Sequence, residues 1–151
     1  MSNLTYATED EVINAALHIM ESKMTNNECF CTTVSTCNYF QLRLGHLERE
    51  VFSVMFLNNQ DQMIVTEDIF FGTIDGAAVY PREVVKLALQ HNAAACVLSH
   101  NHPSGTVEPS EADKRITTRL VEALGLVDVR VIDHIIVSGA QSMSFAVRGL
   151  I

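Results

Sequence analysis

Residues 93–99, AAACVLS, are apolar at odd and even positions alike. Successive side chains of a strand point to opposite faces, so a strand of this kind needs cover on both sides. That requirement selects a layered α/β arrangement with this run at its centre. The chain has 151 residues, enough for one domain with a full-sized core.

The flanking segments supply the layers. Thr8 followed by Glu11 forms a capping-box signature ahead of Val12, Ile13, Ala16, Leu17, Met20 and Met24, which predicts an amphipathic helix over 9–23. Residues 25–35 are polar and carry no clear period, and a second short helix is expected over 37–44, stopped by Gly45. The period then changes. EVFSVMFLN (50–58) is short and rich in β-branched and aromatic residues, NNQDQ is a turn, and MIVTEDIF (63–70) is the returning strand of a hairpin. Gly72 and Gly76 punctuate the next loop, and Pro81 suits the first turn of a helix running through Val84, Val85, Leu87, Ala88 and Leu89. After the central strand, Ser110 opens a helix with Ile116, Leu120, Val121 and Leu124 inward and Gly125 as its stop. VDVRVIDHIIVSG and SMSFAV make a closing pair of strands around the turn SGAQ. The expected fold is a single-domain mixed β-sheet sandwiched by helices.

Composition removes several function classes. The net charge is −8, without the basic surplus that neutralises phosphates, so nucleic acid is not expected as a direct ligand. No apolar stretch approaches the ~20 residues of a membrane helix, and the start MSNLTYATEDE is no secretory signal, so a cytoplasmic location is expected. Cys29, Cys31, Cys37 and Cys96 suit a reducing compartment; Cys96 sits in the apolar run as a small hydrophobe. The CFC pair with Cys37 lacks the paired C-x-x-C spacing of structural zinc, and these are read as plain thiols.

Chemistry concentrates in HNHPSGTVEPSEAD, residues 100–113. His100 and His102 are two apart, which on a strand end or in extended chain puts both rings on the same side. Pro103, Ser104 and Gly105 turn the chain, and the next helix carries Asp113 in its first turn. Two imidazoles and one carboxylate are the protein ligands of a catalytic zinc with a fourth position left for water. The plainer reading is that Ser110-x-x-Asp113 is a capping box and the histidines are polar loop residues. A hydrolytic metal also needs a general base nearby. Glu50 leads the even-numbered stripe Phe52, Val54, Phe56 and would sit at the core's edge, with Glu48 as a weaker rival of the same parity.

The pattern HNHP followed by Ser110-x-x-Asp113 resembles the JAMM metalloprotease motif. EVFSVMFLNNQ, FGTIDGAAVYPREVVKLAL, HNHPSG…PSEAD and DHIIV…SFAVRGLI together resemble the bacterial RadC-like branch of that family over 46–151. The resemblance implies an α/β sandwich related to the cytidine deaminase architecture with one zinc per chain and a metal-binding domain at 46–151; residues 1–45 are read as a helical segment packed on it. The resemblance also implies that His100, His102 and Asp113 hold the metal, Glu50 acts as acid and base, and the Ser110 hydroxyl supports an oxyanion. His134 belongs to the pattern and is read as a strand-end histidine without a catalytic role. Longer RadC proteins carry a helix-hairpin-helix module before this domain; residues 1–45 show no glycine-containing hairpin pair, so the family's DNA-repair label transfers weakly.

The function so implied is a zinc metallopeptidase or isopeptidase cleaving an amide of a peptide or protein substrate. Substrate pockets would be built from TIDGAAVY and the 103–109 loop. Three rivals remain at this level. A zinc deaminase would need His-x-Glu and Pro-Cys-x-x-Cys, which the chain lacks. A non-haem iron oxygenase shares the two histidines and a carboxylate. The third is a DNA-repair or interaction accessory without peptidase activity.

Overall fold

A computed structural model describes residues 7–26, 31–72 and 78–151. Cys29, Gly76 and most of TIDGAAVY therefore lie outside the described residues. The elements run α1 (Glu9–Thr25), α2 (Thr33–Leu44), β1 (Val51–Leu57), β2 (Met63–Phe71), α3 (Pro81–Gln90), β3 (Ala95–Asn101), α4 (Glu111–Gly125), β4 (Arg130–Ser138) and β5 (Gln141–Ser144). The five strands form one mixed sheet in the order β2-β1-β3-β4-β5, with β3 at its centre. Among the described residues only β3 and β4 pair in parallel, and α4 is the crossover between them.

Strand parity builds the sandwich. Odd positions Val51, Met55 and Leu57 of β1, with Ala95 and Val97 of β3, pack on Tyr39, Phe40 and Leu44 of α2 and Met24 of α1. Even positions Phe52, Val54 and Phe56, with Cys96 and Leu98, pack on Val84 and Ala88 of α3 and Leu120 and Leu124 of α4. Every residue of β1 and of β3 is buried, as a strand apolar on both parities requires. Polar contacts tie the first layer down: Tyr39 Oη donates to Glu21 at 2.7 Å, and Arg43 bridges Glu21 and Asp68 of β2 at 3.1 Å each.

Local expectations fail in instructive places. α2 starts at Thr33 rather than at 37, because Thr32 and Ser35 cap it reciprocally. Gly45 does cap α2 as expected, but it is needed there for space and not for a left-handed turn. Its φ is −63°, but a Cβ there would run into Gly139 O and lie 2.5 Å from Gln41 O. β5 ends at Ser144, short of the expected strand over 142–147. The buried Asp133 carboxylate takes bonds from Ser144 Oγ and the Ala146 N–H and turns the chain away. Val121, expected inward, is 40 % exposed, while Leu120 and Leu124 are fully buried. Among the described residues no helix is long and apolar enough to cross a membrane.

Candidate metal centre

The even-numbered face of the sheet carries Phe52, His100 and His134 toward α4, and His100 lies between Phe52 of β1 and Ile136 of β4 in the register. His102 follows the strand, but its N–H still donates to Val137 O at 2.8 Å, so the extended chain continues and both rings face one way. Ser138 Oγ donates to His102 O at 2.7 Å and holds the loop down. The loop then turns back through Gly105 at φ +97°, a conformation open to glycine. That return places Thr106 O 3.0 Å from His102 Nδ1. A carbonyl only accepts, so Nδ1 carries a proton, and when the ring is neutral its lone pair is left on Nε2, facing the site.

Asp113 arrives on the first turn of α4. Ser110 is the N-cap: its Oγ accepts the Asp113 N–H at 3.1 Å and its own N–H donates to Asp113 Oδ2 at 2.9 Å. The capping box is thus present, and it also aims the carboxylate. Oδ1 lies 3.2 Å from His100 Nε2 and Oδ2 lies 3.2 Å from His102 Nε2. The two Nε2 atoms are 2.9 Å apart. The plain and the functional readings of Ser110-x-x-Asp113 describe one geometry. Phe52 stacks on the buried His100 ring at 5.9 Å between centroids, with 14° between planes.

The electrostatics follow from this convergence. Burial opposes ionisation of Asp113, but hydrogen bonds from His100 and His102 outweigh it and hold the carboxyl well below the ordinary carboxylate range. The bond to Asp113 raises the His102 imidazole above its usual value against the effect of burial. The donor set fits a small divalent ion. Tetrahedral ligands at about 2.0–2.1 Å from zinc stand about 3.3 Å apart, and the separations here are 2.9 and 3.2 Å. Among the described residues this trio is the group able to hold a metal, with its ligand atoms all within 4.8 Å of one another, and no cysteine belongs to it. Cys31 lies against Met55 Sδ at 3.8 Å, Cys37 is half-buried, and Cys96 is buried in β3.

Glu50 precedes β1 by one residue and is half-buried. It lines a cavity of about 670 Å³ together with His102, Pro103 and Ser104, and a second of about 160 Å³ together with His100 and Asp113. Glu48 lines only the larger of these two and is exposed. Asn101 fixes the Glu50 backbone from the odd side of β3. Its Oδ1 accepts the Val51 N–H at 2.7 Å, and its Nδ2 donates to Arg49 O at 2.9 Å. The Gly72 N–H donates to Glu50 O at 2.7 Å. Of the expected pocket segments, Val79, Pro103 and Ser104 line these cavities. Ser110 is exposed at the helix cap; its oxygen is engaged there and its hydroxyl proton is left over.

His134 is not a strand-end residue. It is the fifth of nine residues in β4 and wholly inaccessible to solvent. Its Nε2 is 2.8 Å from His100 Nδ1, its Nδ1 is 2.6 Å from Thr117 Oγ1, and its ring stacks on Phe145 at 4.7 Å. Burial, with His100 alongside, pushes its pKa well below the ordinary imidazole value. A histidine inside VIDHIIV was the available signal, because a polar group in a buried strand must have a partner. Thr117 could have been found from spacing, since it lies one helical turn beyond Asp113 on the same face.

A profile of the RadC-like JAB domain matches residues 30–150. A UPF0758 protein of Vibrio cholerae serotype O1 is 50% identical over 143 residues, covering 95% of this chain and 90% of its own length. The UPF0758 protein YeeS of Escherichia coli K12 is 57% identical over 122 residues, covering 81% and 82%. A UPF0758 protein of Cellvibrio japonicus is 61% identical over 112 residues, which is 74% of this chain and half of that relative. The sheet order, the His-x-His exit from β3 and these matches agree, and the chain belongs to the RadC-like JAB domain family.

Proposed function

We propose that this chain is a zinc-dependent hydrolase that cleaves an amide bond of a peptide or protein, as a peptidase or isopeptidase. The observation that carries the reading is the convergence of His100 Nε2, His102 Nε2 and the Asp113 carboxylate at cavities that Glu50 lines. His100, His102 and Asp113 would hold the zinc, which when bound would supply Lewis acidity and lower the pKa of water from ~15.7 to about 7.

The chain's own residues do the rest. Neutral His100 and His102 rings would offer their Nε2 lone pairs to the ion, and Asp113, whose carboxyl is held well below the ordinary carboxylate range, brings the single negative charge. The Glu50 carboxylate takes the proton from the attacking water and delivers it to the leaving amine. The Ser110 hydroxyl donates toward the oxyanion that develops on the substrate; loss of one such donor typically costs ~100–1,000-fold in rate. Phe52 closes the inner side of His100 against water.

The test is hydrolysis of peptide and isopeptide amides by zinc-loaded wild type beside Glu50→Gln. The variant is expected to keep its metal and lose turnover by at least ~100-fold, the usual contribution of a positioned general base. Turnover that survives Glu50→Gln would overturn the assignment.

A further inference from the structure

Four hydrogen-bonding groups run inward from the centre without a break: Asp113 O, Thr117 Oγ1, the His134 ring and the His100 ring. The first contact fixes the direction of the rest. Thr117 Oγ1 lies 2.7 Å from Asp113 O, and a carbonyl cannot donate, so the single hydroxyl proton of Thr117 points there. The 2.6 Å contact between Thr117 Oγ1 and His134 Nδ1 must then be made by a proton on Nδ1. Among the described residues no carboxylate bonds to either nitrogen of the buried His134 ring, and a neutral ring carries one N–H only. Nε2 of His134 therefore accepts, and the 2.8 Å bond to it comes from His100 Nδ1–H. With the His100 ring neutral, as a metal requires, its lone pair is left on Nε2, facing His102 and Asp113.

We propose that Thr117 and His134 are positioning residues that lock His100 in the tautomer able to bind the metal. The proposal rests on the metal reading above. His102 reaches the same tautomer by its own bond to Thr106 O. Solvent cannot stand in for a missing member on the inner side, because Thr117, His134 and His100 are 2 %, 0 % and 1 % exposed. Without the Thr117 oxygen, the His134 proton is free to move to Nε2. The bond to His100 then reverses, and His100 carries its proton on the nitrogen that faces the site.

The experiment titrates zinc against a chromophoric chelator in the full chain, comparing wild type, Thr117→Val and Thr117→Ser, with circular dichroism as the check on folding. Thr117→Val, nearly isosteric, is expected to weaken zinc binding by roughly 10–100-fold, the usual effect of removing an outer partner of a ligand histidine. Thr117→Ser restores the oxygen and is expected to restore affinity. Long-range ¹⁵N–¹H correlation spectra of the histidine rings should show His134 protonated at Nδ1 in wild type. Equal zinc affinity in wild type and Thr117→Val, or a His134 ring protonated at Nε2, overturns the relay alone. A wild-type chain that binds no zinc overturns the metal reading and the relay with it.

Discussion

Asn101 sits between His100 and His102 and points the other way, and replacing it tests whether β3 positions Glu50 as well as the two histidines. The side chain is 1 % exposed; its Oδ1 takes the Val51 N–H, and its Nδ2 donates to Arg49 O and, at 3.4 Å, to Leu47 O. Asn101→Ala removes all of these. Val51 is buried, whereas Arg49 is exposed and its carbonyl can be rehydrated. A stranded buried donor costs about 1–3 kcal/mol and a lost but rehydrated bond about 0.5–1.5, so the sum is roughly 2–4 kcal/mol. At about 2–4 °C per kcal/mol for a domain of this size, the thermal midpoint should fall by roughly 5–15 °C. The assay is thermal unfolding of metal-free protein followed by circular dichroism. Asn101→Asp provides a signature of its own. The new carboxyl keeps an acceptor for Val51 but faces the Arg49 carbonyl without a proton, so its folded pKa is raised. A raised folded pKa contributes stability at low pH that is lost as pH rises, so this variant should recover toward wild type on acidification. A midpoint shift below about 2 °C for Asn101→Ala, too small for the loss of a buried bond, would refute the clamp.

Zinc affinity should rise with pH across the neutral range and level off only above the raised pKa of His102, because a proton on that ring competes with the ion while Asp113 stays ionised throughout; isothermal titration at several pH values reads this, and a flat profile contradicts it. Gly45→Ala should destabilise by about 1–3 kcal/mol, since the added carbon meets two backbone carbonyls that cannot yield. Gly125→Ala, with nothing within 4 Å and a place at the end of α4, should instead be neutral or stabilising by up to about 1 kcal/mol. Urea unfolding of the pair settles the sign of each.

What could be read from the chain was whatever local pattern controls. Parity alone separated the two faces of β1 and β3, and the spacing of His100, His102 and Asp113 placed them at a strand exit and a helix start. The even stripe put Glu50 at the core's edge, and the structure has it lining one cavity with His100 and Asp113 and another with His102. Contacts far apart in sequence stayed hidden. His134 and Thr117 meet across 17 residues, and Asn101 reaches 50 residues back to Val51. Nothing in VIDHIIV states which partner its histidine finds. Likewise Gly45 was legible as the helix stop but not as a residue needed for space, because the backbone of Gly139 that crowds it comes from a distant hairpin. Thr32 and Ser35 escaped the usual capping signature, in which the third helical position is Glu or Gln.

The central claim is that two imidazoles and one carboxylate hold a single divalent ion, and elemental analysis of natively purified protein addresses it most directly. Wild type is expected to carry about one equivalent of zinc per chain, as a three-ligand site provides, and His102→Ala to carry almost none. Wild type without metal, or His102→Ala with undiminished zinc, would contradict the account; stoichiometric iron in place of zinc would contradict the proposed hydrolytic chemistry while leaving the ligands in place.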